Sequence, residues 1–197
     1  MVTDPPCPHA LDTATEHVDD AYWDGVATHV APRMPPRPVI VELGCAPALM
    51  SHAFQQHFPQ ATLYAYDITE ALHTGTAPSL PLATGTVHLI SMASVLHRCD
   101  DPFPMLAEVH RLLAPTGLFL LYDWARRPLQ DYLLGSLTQA DAEPQTSRHR
   151  AVCTFPVHNK YTTADWQWLL HEAEFALLRG VQLRPTHRMF LAIPTGS

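Results

Sequence analysis

Val41-Glu42-Leu43-Gly44-Cys45-Ala46-Pro47-Ala48 reads as the end of a buried strand, a tight turn and the start of a helix. A chain that reverses sharply while its backbone lies close to a ligand needs glycine and other small residues. The helix that follows offers unpaired N–H groups to polar ligand atoms. The next strand, Ala61 to Asp67, closes on an acid roughly twenty residues after Gly44. Doubly wound folds place an acid there to accept hydrogen bonds from ribose hydroxyls. In register on successive strands, Gly44 and Asp67 form a nucleoside-site signature.

Outward from this stretch, Val39 to Leu43 is the strand itself, and Leu49 to Phe58 is a helix stopped by Pro59. Val87 to Ala93 is a third strand. Asp100-Asp101-Pro102 suits a helix start better than a catalytic dyad, and that helix runs to about Leu113. Pro115-Thr116-Gly117 fits a type I turn. Leu118 to Asp123 is a strand so apolar that both faces need cover. Helical content around Leu129 to Thr138 gives way to a polar stretch. Thr162 and Asp165 form a capping box ahead of Trp166, Leu169, Leu170 and Ala173. Two strands, Ala176 to Leu183 and Arg188 to Ile193, follow as a hairpin. Upstream, Ala10 to Val30 has helical spacing, and Pro32, Pro35, Pro36 and Pro38 make a stiff linker. Strands alternating with helices imply right-handed βαβ units and an α/β, Rossmann-like, doubly wound sheet. The sheet is mainly parallel, with a C-terminal antiparallel hairpin strand.

The chain has 197 residues, a formal net charge of -7 and one lysine, Lys160. Its arginines are scattered, with Arg126-Arg127 and Arg148/Arg150 the only close pairs. Nucleic-acid binders concentrate basic charge on one face, so a nucleic-acid partner is disfavoured. Cys7, Cys45, Cys99 and Cys153 show no CxxC pairing and read as reduced thiols. Residues 1–10 lack the apolar core of a signal peptide, and no apolar run approaches the roughly 20 residues of a membrane span. A cytoplasmic protein without membrane contact is expected. The 13 histidines include no HExxH or comparable ligand pair, so no metal site is expected.

Val41 to Ser51 resembles motif I of class I S-adenosylmethionine (SAM)-dependent methyltransferases, and Leu63 to Thr69 resembles their second-strand motif. Leu80 to Pro102, with Val95-Leu96-His97 inside it, is similar to the family's fourth-strand region. Leu106 to Asp123 matches its next helix, turn and strand, and Glu172-Ala173-Glu174-Phe175 stands where the family often reads "eaGF". The resemblance covers about residues 38–195 and is closest to the small-molecule, ubiquinone-biosynthesis-like branch. It implies SAM as cofactor, a small-molecule acceptor, and a domain over 38–197 preceded by a helical lid and Pro-rich linker over 1–37. It also implies that Glu42, Gly44, Cys45, Ala46 and Ala48 surround the methionine part of SAM. Asp67 would hold the ribose, Ile68 would contact adenine, Ser91 and Ser94 would line the floor, and His97 would sit near the methyl group.

Departures from the pattern accompany it. The common GxGxG becomes Gly44-Cys45-Ala46-Pro47-Ala48, and Ala48 is the more unusual change. About a dozen residues separate Asp67 from Leu80, too few for the edge helix and strand the family places after strand 2, and both are expected to be missing. Thr76 replaces the acid that contacts the adenine amino group.

His97 is the candidate general base, since histidine titrates near neutral pH. Packing is its alternative role, as a helix cap is for Asp67 and a backbone acceptor for Glu42. His158 and Tyr161 precede a late helix of the kind that often borders the substrate, and Trp23 belongs either to a lid or to the core. Two other functions compete: a non-catalytic methyltransferase-fold protein serving a partner, and, ranked last, an RNA methyltransferase. An unpaired sheet edge must be covered. Residues 68–85 are expected to lie across it or to help make a homodimer.

Overall fold

A computed structural model describes residues 20–44, 50–74, 78–136 and 144–196. Helix α1 (Asp20–Val30) precedes strand β1 (Val39–Gly44), followed by α2 (Ser51–His57), β2 (Thr62–Asp67), α3 (Thr69–Thr74) and β3 (Val87–Ala93). Then come α4 (Phe103–Leu112), β4 (Leu113–Trp124), α5 (Leu129–Ser136), α6 (Pro144–His158), α7 (Thr163–Glu172), β5 (Phe175–Gln182) and β6 (His187–Pro194). The six strands form one sheet in the order β2-β1-β3-β4-β6-β5. The first four run parallel, and β6 pairs antiparallel with both β4 and β5. This is the expected mainly parallel sheet with its antiparallel C-terminal strand.

Alternation along the strands divides the core in two. Val41, Leu43, Ile90, Met92, Phe119 and Leu121 face α4 and α7. Ile40, Leu89, Leu118, Leu120 and Tyr122 face α1 and α2. Both faces of the central strands are therefore covered, which explains their nearly unbroken apolar sequences. Trp23 of α1 is 1% exposed and meets the Tyr122 ring edge-on at 5.7 Å, so its place is in the core.

The expected turn at Pro115-Thr116-Gly117 lies inside a longer strand. Val87 pairs with Leu113 and Leu89 with Leu118, so the intervening β4 residues bulge away from β3. Gly117 makes this bulge: a Cβ there would sit 2.9 Å from the carbonyl oxygens of Ala114 and Val87. The capping box forms as expected, with Asp165 N donating to Thr162 Oγ1 and Thr162 N donating to Asp165 Oδ2. Glu174, at the position where the family often has glycine, takes a left-handed φ of 61°.

Among the described residues no strand lies beyond β2, but the shortened interval keeps a helix, the six-residue α3. The expectation that both elements are missing is thus corrected for the helix: six residues suffice for one short helix and not for the return strand as well. Ala71, Leu72 and Leu82 pack against the α4-side core, and Arg111 of α4 holds Leu80 O, Leu82 O and Thr84 Oγ1. These described parts of 68–85 pack under the sheet on the α4 side.

Candidate active site

Because β1 to β4 run parallel, their C-terminal ends lie side by side, where open α/β sheets hold ligands. Gly44 pairs with Asp67 in register, and Ile68 N donates to Gly44 O at 3.0 Å. Glu42 is buried, and its Oε1 accepts Met50 N at 3.1 Å, which ties the start of α2 to β1. Asp67 is exposed. Its Oδ1 accepts Thr69 N at 2.8 Å, and the hydrogen bonds from Thr69 hold its carboxyl below the ordinary value. Ile68 is 2% exposed, with its side chain in the α4-side core. Cys45, Ala46, Ala48 and Thr76 lie outside the described residues.

Ser91 is buried on β3, and its Oγ donates to Val41 O at a long 3.5 Å. Ser94 follows β3 with φ of 53°, a conformation that costs a non-glycine residue about 1–2 kcal/mol. Its buried Oγ has no hydrogen-bond partner among the described residues. Backbone strain of this kind gathers at ligand sites. A 3-10 turn, Leu96–Arg98, follows and carries His97.

His97 and Asp123 form a wholly buried pair, with His97 Nδ1 2.6 Å from Asp123 Oδ1. Oδ1 also accepts Trp124 N at 2.7 Å, while Oδ2 accepts Leu96 N at 2.9 Å and His97 N at 3.3 Å. Burial alone would raise the Asp123 carboxyl. Electrostatic attraction to the adjacent His97 ring and the hydrogen bonds from that ring and from Trp124 N outweigh it and hold the group below its ordinary value. Burial pushes the His97 imidazole down, with Asp123 opposing. The carboxylate is therefore ionised, Nδ1 carries the ring proton, and Nε2 keeps its lone pair. Nε2 is buried without a partner among the described residues.

An aromatic wall stands beside the pair. The Trp124 ring lies 4.0 Å from both His158 and His187, between centroids, and His187 also stacks on Tyr122 at 4.8 Å. Burial pushes His187 down to about 3, so this ring is neutral across the physiological range. His158 Nδ1 meets Tyr132 OH at 2.8 Å, and the His158 ring lies 5.4 Å from that of His97. Tyr161 packs at 4.6 Å on Trp166, whose Nε1 donates to Trp124 O. The structure thus gathers His97 and His158, sets Tyr161 one ring further out, and adds Asp123, Trp124 and His187. The sequence carried one signal for Asp123, a charged residue closing the apolar run Leu118 to Tyr122 at the ligand-binding end of a parallel strand.

Among the described residues, no group of three or more His, Cys, Asp or Glu side chains is placed to hold a metal ion. Nor is any described helix long and apolar enough to cross a membrane.

Residues 15–179 match the methyltransferase domain family, and the chain belongs to that family. It is 30% identical over 152 residues to a malonyl-[acyl-carrier protein] O-methyltransferase of Alcanivorax borkumensis, an alignment covering 69% of this chain and 48% of the relative. A protein of the same description from Hahella chejuensis is 29% identical over 93 residues, covering 40% of this chain and 33% of its own length. The chain thus spans half or less of these curated relatives. Among solved structures, the 1,6-didemethyltoxoflavin-N1-methyltransferase of Burkholderia thailandensis superposes with a TM-score of 0.63 at 16% identity, covering 95% of this chain and 83% of that one. A SAM-dependent methyltransferase from Aquifex aeolicus gives 0.58 at 14%, covering 91% and 100%. At these identities the structural likeness shows the shared fold.

Proposed function

We propose that this chain is a SAM-dependent methyltransferase acting on a small-molecule acceptor. The observation that carries the reading is the pairing of Gly44 with Asp67 at the C-terminal edge of the sheet, which leaves an exposed carboxylate where ribose hydroxyls would sit. The residues present fit the cofactor: along the same end of the sheet, one strand beyond β1, the strained Ser94 follows β3 with a hydroxyl unpartnered among the described residues. Asp67 would hold the ribose, Ser94 would offer its hydroxyl, and Glu42 would tie the start of α2 to β1. Ile68 would reach adenine through its backbone, its side chain being taken up by the core.

Bound SAM supplies an electrophilic methyl group, and the protein supplies alignment and exclusion of water. His97 Nε2 accepts the proton that leaves an oxygen nucleophile. Asp123 keeps the opposite ring nitrogen protonated and steadies the imidazolium that forms. General bases of this kind contribute roughly 10²- to 10⁴-fold. The relatives are named O-methyltransferases, which supports oxygen as the acceptor atom. Trp124, His158 and Tyr132 form the acceptor-side wall. The N-terminal segment would serve as its cover, while α1 itself packs on the face of the sheet opposite His97 and Asp123. The protein works in the cytoplasm, and the unpaired β2 edge is where a second copy would join.

Calorimetric titration with SAM and with S-adenosylhomocysteine tests the reading. Micromolar binding is expected, weakened by about tenfold or more in Asp67→Ala through loss of a charge-assisted hydrogen bond. Absence of binding at millimolar ligand would overturn it.

A further inference from the structure

On the opposite face of the sheet from His97 and Asp123, a cavity of about 300 Å³ opens between α1 and strands β4, β6 and β5. Its walls include Val26, Leu120, Val181, Met189 and Leu191, and among the described residues the ionisable side chains lining it are His29 and Arg179. Two local features create it. In α1, Gly25 faces the cavity, and a Cβ there would meet nothing within 4 Å. A helix-interior glycine costs about 1 kcal/mol relative to alanine, and here it leaves the mouth open.

The second feature is an irregularity in β5. Leu177 pairs with Ala192, but Arg179 pairs with Leu191, so Leu178 is bulged out of the ladder. Directly opposed residues share a face of the sheet. Ala192 belongs to the α4-side core and Leu191 to the α1-side core. Without the bulge Arg179 would lie on the α4 side. With it, the guanidinium is carried to the mouth of an apolar cavity, the re-aiming that bulges perform beside binding sites. Neither Arg179 nor His29 makes a hydrogen bond or ion pair among the described residues, in a chain whose net charge is -7.

We propose that this cavity is a second binding site, for a medium-chain aliphatic carboxylate. The hydrocarbon lies against Leu120, Val181, Met189 and Leu191, and the carboxylate sits at the mouth beside Arg179 and His29. The volume suits about ten methylene-sized groups, at roughly 30 Å³ each. The site is independent of methyl transfer, since β4 directs Leu120 and Asp123 to opposite faces.

Calorimetric titration with octanoate, and with octanol as its neutral counterpart, tests the proposal on the whole protein. Octanoate is expected to bind in the micromolar-to-millimolar range, and octanol about tenfold more weakly or worse. Arg179→Met keeps the apolar stem of an exposed residue and should weaken octanoate by about tenfold. Gly25→Leu should fill the mouth and abolish binding, with SAM titration of both variants matching the parent, the thermal melt of Arg179→Met unchanged and that of Gly25→Leu at or above the parent. No heat with octanoate at about 10 mM overturns the proposal. So does equal affinity for octanol, or binding that Arg179→Met and Gly25→Leu leave intact. If SAM binding also proves absent, the octanoate result still stands alone.

Discussion

Lowering the pH from about 7.5 to about 5.5 should remove about 1.4 kcal/mol of folding stability through His187 alone. The unfolded chain takes a proton at this imidazole near the ordinary value of 6.5, whereas the folded chain withholds it down to about 3. Between those values the unfolded state binds more protons, so stability falls as the pH falls. Each unit of pH well below 6.5 costs about 1.4 kcal/mol for a fully suppressed histidine, while near 6.5 the slope is partial. Burial of His97 adds in the same direction. Asp123, depressed in the fold, loses its contribution only at lower pH, below the carboxylate range. Urea unfolding followed by the fluorescence of the four tryptophans measures the effect at both pH values. His187→Phe keeps a ring against Tyr122 and Trp124 but cannot titrate; it forfeits the 2.9 Å contact with Thr186 Oγ1, at about 1 kcal/mol. The variant should be weaker at neutral pH and less acid-sensitive. An unchanged pH dependence in His187→Phe would refute the argument.

Two substitutions test backbone geometry. Gly117→Ala drives a Cβ to 2.9 Å from two carbonyl oxygens in the β4 bulge, and a loss of about 1–3 kcal/mol should appear in urea or thermal unfolding. Glu174→Gly removes a left-handed penalty of about 1–2 kcal/mol and adds an unfolded-state entropy cost of about 0.5–1 kcal/mol. A net gain of about 0.5–1 kcal/mol is expected, and a lowered melting temperature would contradict it.

The elements legible in the sequence are those whose local chemistry and tertiary role agree. Val39 to Gly44 is apolar but for Glu42 because both faces are covered, and Asp67 falls in register with Gly44 because the two strands are parallel neighbours. The Thr162–Asp165 box works within one turn of chain and needs no tertiary support. Helix α6 was hidden because its sequence is polar and carries Pro156, and the inward side chains among its described residues are few, chiefly Ala151, Phe155 and His158. The His97–Asp123 pair was half visible, His97 from its motif and Asp123 only as the end of an apolar run. The two meet because β3 and β4 are neighbours in the sheet, a relation that spacing along the chain does not state. The bulge at Leu178 left no mark in an otherwise ordinary strand sequence. There the register is set by packing on β6.

Strand β6 comes last among the strands in chain order, yet it sits between β4 and β5. While the polypeptide is being synthesised, β4 is complete at Trp124, but its partner on that side ends only at Pro194. At roughly 5–20 residues per second, the ribosome leaves the unpaired edge of Leu118–Trp124 waiting several seconds or longer for its partner. That edge is the most apolar strand of the protein, so the nascent chain presents its stickiest surface during this interval. Premature termination before β6 would make the exposure permanent, and such fragments should be the ones that chaperones and proteases in the cell engage first.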